Sequence, residues 1–304
     1  MKKYHGIIPP IVVPLDEQER VNEASFRQLL NYCIAGGVDG IFVASSNGEA
    51  MALTQKERER SIAIALDECA GKVPVLAGVM DSSTTRVIDN LKRFEQMGGA
   101  AAVVTPVFYA RHATPRETIR HFEEISKHTS IDIIIYNIPI FTGTTLRAET
   151  IFELAKIDHV VGYKDSSGNM ADFEKCLIHF KDDPKFSLLQ GSMNISAISM
   201  LIGADGCVPS MAALYPKLFR DLYRAAKAKD IERTLALEKI VMETCRIFSL
   251  ALNQTAATKY AVSTLGFFDK RVAKPTEPTT PEEEVKIKAQ VKLIWEMMEK
   301  EGIQ

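Results

Sequence analysis

The sequence predicts an α/β fold, a (β/α)8 barrel of the TIM type followed by a C-terminal helical extension. Eight short, predominantly apolar runs alternate with segments of helical periodicity, and the runs start about 19 to 34 residues apart, the length of one β/α unit. Parallel strands that are covered on both faces have this continuous apolar character. Eight units over about 210 residues favour a closed barrel. An open doubly wound sheet is the alternative, because strand number alone does not establish closure.

The predicted strands all lie before residue 211. In chain order they are 6–13, 40–45, 73–78, 100–106, 131–137, 160–165, 186–191 and 205–210. The segment 22–37 is typical of what lies between them, because its apolar side chains fall on one helical face and a glycine pair ends it. Beyond residue 211 only helical patterns follow. We therefore predict a barrel domain at 1–225 and a helical extension at 226–304.

The composition is that of a globular protein without a strong charge. Of its 304 residues, 46% are hydrophobic and 25% are charged, and the formal net charge is -2. This balance does not indicate binding to nucleic acid or to a membrane, and no apolar run approaches the roughly 18 residues of a membrane-spanning helix. Prolines interrupt the first apolar run, so we predict a cytoplasmic protein without a secretion signal. The five cysteines are scattered, which indicates reduced core residues.

Polar residues and one glycine follow the ends of six predicted strands. In a (β/α)8 barrel the active site lies at the C-terminal ends of the strands, so residues at these positions are the candidates for chemistry. In chain order they are Ser46, Asn47, Tyr109, Tyr136, Lys164, Ser166, Gly191 and Ser210. We predict that catalysis and substrate binding depend on this group.

The candidate group has the composition neither of a metal site nor of a hydrolytic triad. Most of the six histidines fall on predicted helices or strand starts, and no strand end carries two carboxylates or a histidine with a carboxylate. The nucleophile elbow Gly-x-Ser-x-Gly is absent from the sequence. An amine, a phenol and hydroxyl groups remain, and this set suits imine chemistry.

Lys164 ends the apolar run of the sixth predicted strand. A lysine at such a point either extends its head group to solvent or serves as a nucleophile. It attacks a carbonyl only as the neutral amine, and burial lowers its pKa by disfavouring the ammonium. With a 2-oxo acid it would form a protonated imine, an electron sink for the neighbouring C–C bond.

Two other candidates have expected roles beside Lys164. We expect Tyr136, one strand away, to transfer protons. We expect Ser46, with the main-chain N–H groups of its turn, to hold the substrate carboxylate.

Three segments carry a resemblance to a known family. They are "SSNGEAMALTQKER", "YNIPIFTG" and "GYKDSSGN". In this order and at these intervals the chain resembles the dihydrodipicolinate synthase and N-acetylneuraminate lyase family of pyruvate-dependent class I aldolases, from about residue 4 to the C-terminal helices. The resemblance implies that Lys164 is the Schiff-base lysine, that Tyr136 is the catalytic tyrosine, and that Ser46 and Asn47 form the carboxylate-binding pair. It also implies a homotetramer, arranged as a dimer of dimers, without metal or organic cofactor.

The chain departs from the family pattern at positions that bind the second substrate. The synthases usually have an arginine five residues after the catalytic tyrosine, where this chain has Phe141, and a proton-relay tyrosine at the position of Phe108. Tyr109 is adjacent and is the candidate to replace the relay tyrosine, and packing at a subunit interface is the alternative role for it. The N-acetylneuraminate lyases have an acidic pair where this chain has Met193 and Asn194.

These departures leave several functions open. The main hypothesis is a pyruvate-dependent class I lyase that forms an imine at Lys164 and acts on a 2-keto-3-deoxy sugar acid or a related aldol, with an aldehyde as the second reactant. The alternatives are a 4-hydroxy-tetrahydrodipicolinate synthase with a substituted second-substrate site, a dehydratase that uses the same imine, and a barrel that binds pyruvate without catalysis.

Overall fold

The computed structural model describes residues 2–303, in which eight β-strands alternate with α-helices. The strands are Gly6–Ile7 (β1), Ile41–Val43 (β2), Val75–Gly78 (β3), Ala101–Val104 (β4), Asp132–Asn137 (β5), Val160–Asp165 (β6), Ser187–Gln190 (β7) and Gly206–Cys207 (β8). The α-helices are Glu23–Ala35 (α1), Gln55–Cys69 (α2), Thr84–Gln96 (α3), Pro115–Ser126 (α4), Pro139–Thr142 (α5), Ala148–Leu154 (α6), Met170–His179 (α7), Ser196–Leu201 (α8), Pro216–Lys227 (α9), Ile231–Arg246 (α10), Gln254–Ser263 (α11) and Pro281–Lys300 (α12).

The strands form one sheet in the order β1-β8-β7-β6-β5-β4-β3-β2. Neighbouring strands from β3 to β8 are parallel. The chain just after β1 also bridges to β2, because Pro10 pairs with Phe42 and the Ile11 N–H donates to the Phe42 carbonyl oxygen over 2.9 Å. This bridge connects the two ends of the strand order, as closure requires. The predicted (β/α)8 barrel fold with C-terminal helices is therefore confirmed.

Most strands are slightly shorter than their apolar runs, and β1 and β8 are much shorter, with two residues each. The first run pairs as a regular strand only in β1, because the Pro9 and Pro10 that follow have no N–H group to donate. The eighth run is a strand only in β8, where two backbones approach each other closely. A Cβ atom on Gly206 would lie 2.1 Å from the Gly6 carbonyl oxygen, so only glycine fits there.

Capping side chains define where several helices begin. At the start of α4 the Thr114 hydroxyl accepts a hydrogen bond from the Glu117 N–H, and the Glu117 carboxylate accepts from the Thr114 N–H. Thr280 and Glu283 form the same capping box at the start of α12, and both helices have proline in the first turn. Such caps contribute about 1 kcal/mol each. These caps are local, so the residues at which the two helices begin are determined by the sequence around each helix start.

Tertiary contacts divide the described chain into two compact units. The first contains the described residues up to Gly6 together with Val75–Val208, and its core includes the fully buried isoleucines of β5. The second contains Ile7–Pro74 together with the described residues from Pro209 onward, and its core includes apolar side chains of α1 and α9. The predicted domain boundary between residues 225 and 226 lies inside the second unit and stays a prediction.

Two further sequence expectations concern the whole described chain. None of its helices between residues 2 and 303 is long and apolar enough to cross a membrane. The location in the cytoplasm stays a prediction. All five cysteines are free thiols, and four of them are buried, as their scattered spacing predicts.

Candidate active site

Strands β5 and β6 bring the predicted nucleophile and the predicted proton-transfer group together. They pair in parallel, with Tyr136 opposite Lys164 and Asn137 opposite Asp165. The Lys164 Nζ lies 3.8 Å from the centroid of the Tyr136 ring, and both side chains are buried, each only 4% exposed. Residues on adjacent strands in register point to the same face of a sheet. The local pairing of β5 and β6 therefore places the amine over the phenol ring.

Burial determines the charge of Lys164. Removal from water disfavours the ammonium and lowers the lysine pKa to about 7, although the negative charge of Asp165 acts in the opposite direction. An ordinary lysine has a pKa of about 10.4 and is almost wholly protonated at neutral pH. A substantial fraction of Lys164 is therefore the neutral amine near pH 7. It has the protonation state that attack on a carbonyl requires.

A buried carboxylate network lies next to Lys164 in the chain. The Asp165 Oδ1 accepts hydrogen bonds from the Asn137 Nδ2 at 2.8 Å, from the Tyr163 hydroxyl at 3.0 Å and from the Ser167 N–H at 3.1 Å. Burial raises the Asp165 pKa, and these donors act against that rise. Successive side chains of a strand point to opposite faces, so Tyr163 and Asp165 lie on the face of β6 opposite Lys164. The Asn137–Asp165 hydrogen bond joins β5 to β6 one residue after the pair of Tyr136 and Lys164.

Sequence reasoning did not assign a role to Asp165 or its donors. The sequence Tyr163-Lys164-Asp165 gives one indication of this network, because Asp165 is a second charged residue at the end of an apolar strand. A carboxylate in such a position needs buried donors. Asn137, the residue after the predicted catalytic tyrosine, supplies one of them.

Gly191 and Ser166 lie beside the lysine. A Cβ atom on Gly191 would lie 2.1 Å from the Ser166 Oγ and 3.0 Å from the Lys164 Cε. The Gly191 N–H also donates to the Asp165 carbonyl oxygen over 2.6 Å. Only glycine can approach β6 so closely. Both predicted substrate contacts therefore adjoin the amine, and their roles toward a substrate stay predictions.

Tyr109 lies in the loop between β4 and α4 and is 99% exposed. Its φ angle of 69° is in the left-handed region, which is unfavourable for a bulky side chain. The same loop contacts the loop after α5, because the Arg111 Cδ would lie 3.2 Å from a Cβ atom on Gly143. Strained residues of this kind cluster at functional sites. The proton-relay role of Tyr109 stays a prediction.

The predicted carboxylate-binding turn lies after β2, in the second unit. The Gly48 N–H donates to the Ser45 carbonyl oxygen and the Glu49 N–H donates to the Ser46 carbonyl oxygen, both over 3.1 Å. A Cβ atom on Gly48 would lie 2.9 Å from the Ile11 carbonyl oxygen, so the turn requires glycine. The Asn47 Nδ2 donates to the carbonyl oxygen of Pro10 over 2.6 Å. The Asn47 side chain thus anchors the turn, and the binding of a substrate carboxylate by Ser46 and Asn47 stays a prediction.

For the remaining residues that the sequence analysis singled out, the structure gives position and burial. Ser210 is half-buried at the start of the short 3-10 helix Ser210–Ala213 in the second unit, and its substrate role stays a prediction. Of the departures from the family pattern, Phe141 is 62% exposed on α5, whereas Met193 is buried. Among residues 2–303, no group of three or more His, Cys, Asp or Glu side chains is arranged to hold a metal ion.

Comparisons with known proteins identify the family. The model of the dihydrodipicolinate synthetase family matches residues 3–294. The 4-hydroxy-tetrahydrodipicolinate synthase of Methanothermobacter thermautotrophicus is 31% identical over 235 residues, which cover 77% of this chain and 83% of that protein.

Solved structures give the same result. Dihydrodipicolinate synthase from Bacteroides thetaiotaomicron superimposes with a TM-score of 0.91 and 31% identity over 96% of this chain and 99% of the other. YagE, a prophage protein of E. coli K12 solved in complex with pyruvate, has a TM-score of 0.91 and 23% identity over 96% of this chain and 99% of its own, a likeness of fold. The resemblance seen in the sequence is confirmed. The chain belongs to the dihydrodipicolinate synthetase family of Schiff-base lyases.

Proposed function

We propose that this protein is a pyruvate-dependent class I lyase that forms an imine between Lys164 and a 2-oxo acid. The observation that carries the proposal is the buried amine of Lys164, with its pKa lowered to about 7, placed 3.8 Å from the centroid of the Tyr136 ring. Membership in the dihydrodipicolinate synthetase family supports the same chemistry. Pyruvate in the YagE crystal structure supports pyruvate as the first substrate.

The proposed reaction begins when the neutral Lys164 amine attacks the keto carbon of pyruvate. The keto oxygen takes up protons and leaves as water, and a protonated imine forms. Loss of a proton from the methyl carbon gives an enamine, which forms a C–C bond with the carbonyl carbon of an aldehyde while the aldehyde oxygen takes up a proton. Hydrolysis of the imine restores the amine, and the reverse sequence cleaves an aldol. Tyr136 would transfer the protons.

Ser46 and Asn47 are proposed to bind the carboxylate of the 2-oxo acid. The glycine-containing turn supports this role, because consecutive main-chain N–H groups in a tight turn form an anion-binding concavity. Ser166, Gly191 and Ser210 are proposed as further substrate contacts. For Ser166 and Gly191 the support is their position beside the Lys164 side chain.

The proposed second substrate is the aldehyde half of a 2-keto-3-deoxy sugar acid or a related aldol. The segment after Tyr136 supports this choice, because the exposed side chains of Ile140 and Phe141 offer no positive charge to a second carboxylate. A 4-hydroxy-tetrahydrodipicolinate synthase is the second candidate. The relatives that carry this name, at about 31% identity, favour it.

Two measurements test the proposal. Pyruvate with borohydride should reduce the imine and leave one pyruvate-derived mass on the protein, and the absence of any adduct would contradict the imine. Turnover of 2-keto-3-deoxy sugar acids should then exceed turnover of aspartate semialdehyde with pyruvate. Efficient synthase activity would reverse the ranking of the two substrates. Dehydration products would identify a dehydratase, and an adduct without turnover of any partner would identify a binding protein.

We also propose that the protein assembles as a homotetramer. The side chains of Tyr109, Ile140 and Phe141 in the first unit are large, apolar and exposed, and such side chains are candidates for contacts with a partner chain. The expected result of light scattering is the mass of four chains of 33.8 kDa each. A monomer at micromolar concentration would contradict the assembly.

A further inference from the structure

A second buried lysine is joined to the predicted carboxylate-binding turn. The Lys259 side chain on α11 is completely buried, and its Nζ donates to the Glu49 Oε1 over 2.5 Å. The other carboxylate oxygen, Glu49 Oε2, accepts from the Ala273 N–H over 2.7 Å. Glu49 is the last residue of the turn and is itself buried. Two C-terminal segments therefore hold one carboxylate at the end of the turn.

The turn depends on an unfavourable backbone conformation at Glu49. Its φ angle of 56° is left-handed, which residues with a Cβ atom rarely adopt. The Glu49 carbonyl oxygen also accepts from the N–H groups of Ala52 and Leu53, just after the turn, over 2.8 and 3.2 Å. Strain of this kind persists only where the surroundings hold it. The buried ion pair is such a restraint.

We infer that Lys259 is a positioning residue that holds the turn after β2 in the conformation that binds the substrate carboxylate. The inference rests on the proposed function, because it assigns the carboxylate to the main-chain N–H groups of Ser46 and Asn47. Lys259 acts through Glu49 and touches no substrate. The C-terminal helices thereby determine the affinity for the 2-oxo acid, a role that the sequence pattern of α11 did not indicate.

The ion pair with Glu49 affects the charge of Lys259. Burial lowers its pKa, but the adjacent carboxylate of Glu49 acts in the opposite direction and stabilises the ammonium. The ion pair with Glu49 therefore suits Lys259 to a structural role.

The test measures the pyruvate concentration that half-saturates borohydride trapping. Lys259→Met removes the charge with little change in side-chain length, and we expect the half-saturating concentration to rise tenfold or more. The maximal adduct at saturating pyruvate should stay within twofold of wild type, because Lys164 is untouched. Glu49→Gln/Lys259→Met removes both charges, so no unpaired carboxylate is buried and the fold is kept. It should show the same rise.

Lys270→Met is the matched control. Lys270 forms an ion pair with Glu284 and donates to the Thr279 carbonyl oxygen in the same unit, so the half-saturating concentration should equal that of wild type. A wild-type half-saturating concentration in the folded double variant would overturn the positioning role. That outcome differs from failure of the proposed function, in which wild type itself forms no adduct.

Discussion

Replacement of Lys164 by Met is expected to abolish the borohydride-trapped pyruvate adduct and to lower kcat by a factor on the order of 10⁴ or more. Methionine has nearly the length of lysine and fits an apolar surrounding, so the barrel should remain folded. Lys259, the other buried lysine among residues 2–303, is ion-paired with Glu49, so we do not expect it to replace the lost amine. Intact mass before and after reduction measures the adduct, and peptide mapping locates it.

Lys175→Ala is the control for this experiment, because Lys175 is an exposed lysine of the first unit that pairs with Glu149. It should form the adduct as wild type does. An undiminished adduct in Lys164→Met would assign the imine to another amine and remove the basis of the proposed function.

The pH dependence of trapping gives the same experiment a second readout. The neutral amine is the attacking form, and burial lowers the Lys164 pKa to about 7. The rate of imine formation should therefore rise with pH between about 6 and 8 and become constant above that range. A rate that still rises steeply above pH 9 would indicate a lysine with an ordinary pKa.

The sequence was sufficient to predict Lys164 and Tyr136 as neighbours. Both end apolar runs of a parallel β/α pattern, and strand ends of consecutive units meet at one end of a barrel. The prediction needed only periodicity, because β5 and β6 pair without interruption from Ile134 and Gly162 to the strand ends, past a register shift at Ile133.

Strand lengths and buried polar networks could not be predicted in the same way. Strand length depends on whether a partner backbone is within hydrogen-bonding distance, and after β1 the two prolines have no N–H group for a continuous ladder, so only an isolated bridge to Phe42 forms. The Glu49 and Lys259 pair joins residues 210 positions apart, so no local pattern contains it. The Asp165 network likewise depends on Asn137, from another strand, and appears only once register is known.

The second large effect is expected for Tyr136→Phe. This change keeps the aromatic ring that lies 3.8 Å from the Lys164 Nζ and removes only the hydroxyl group. If the phenol transfers protons, kcat should fall by about 10²- to 10⁴-fold, the usual contribution of general acid-base catalysis. The trapped adduct should still form, although more slowly, because the amine remains. Steady-state kinetics and single-turnover trapping together measure both quantities.

Tyr163→Phe is the matched control. Tyr163 is also a buried tyrosine, but its side chain lies on the face of β6 opposite that of Lys164. Its hydroxyl donates to the Asp165 Oδ1 and accepts from the Asn137 Nδ2. Loss of that hydroxyl should lower the free energy of unfolding by about 1 to 3 kcal/mol, because buried partners lose a hydrogen bond. Its effect on kcat should remain far below that of Tyr136→Phe. Equal kcat losses in the two variants would mean that Tyr136 supports the strand pair and transfers no proton.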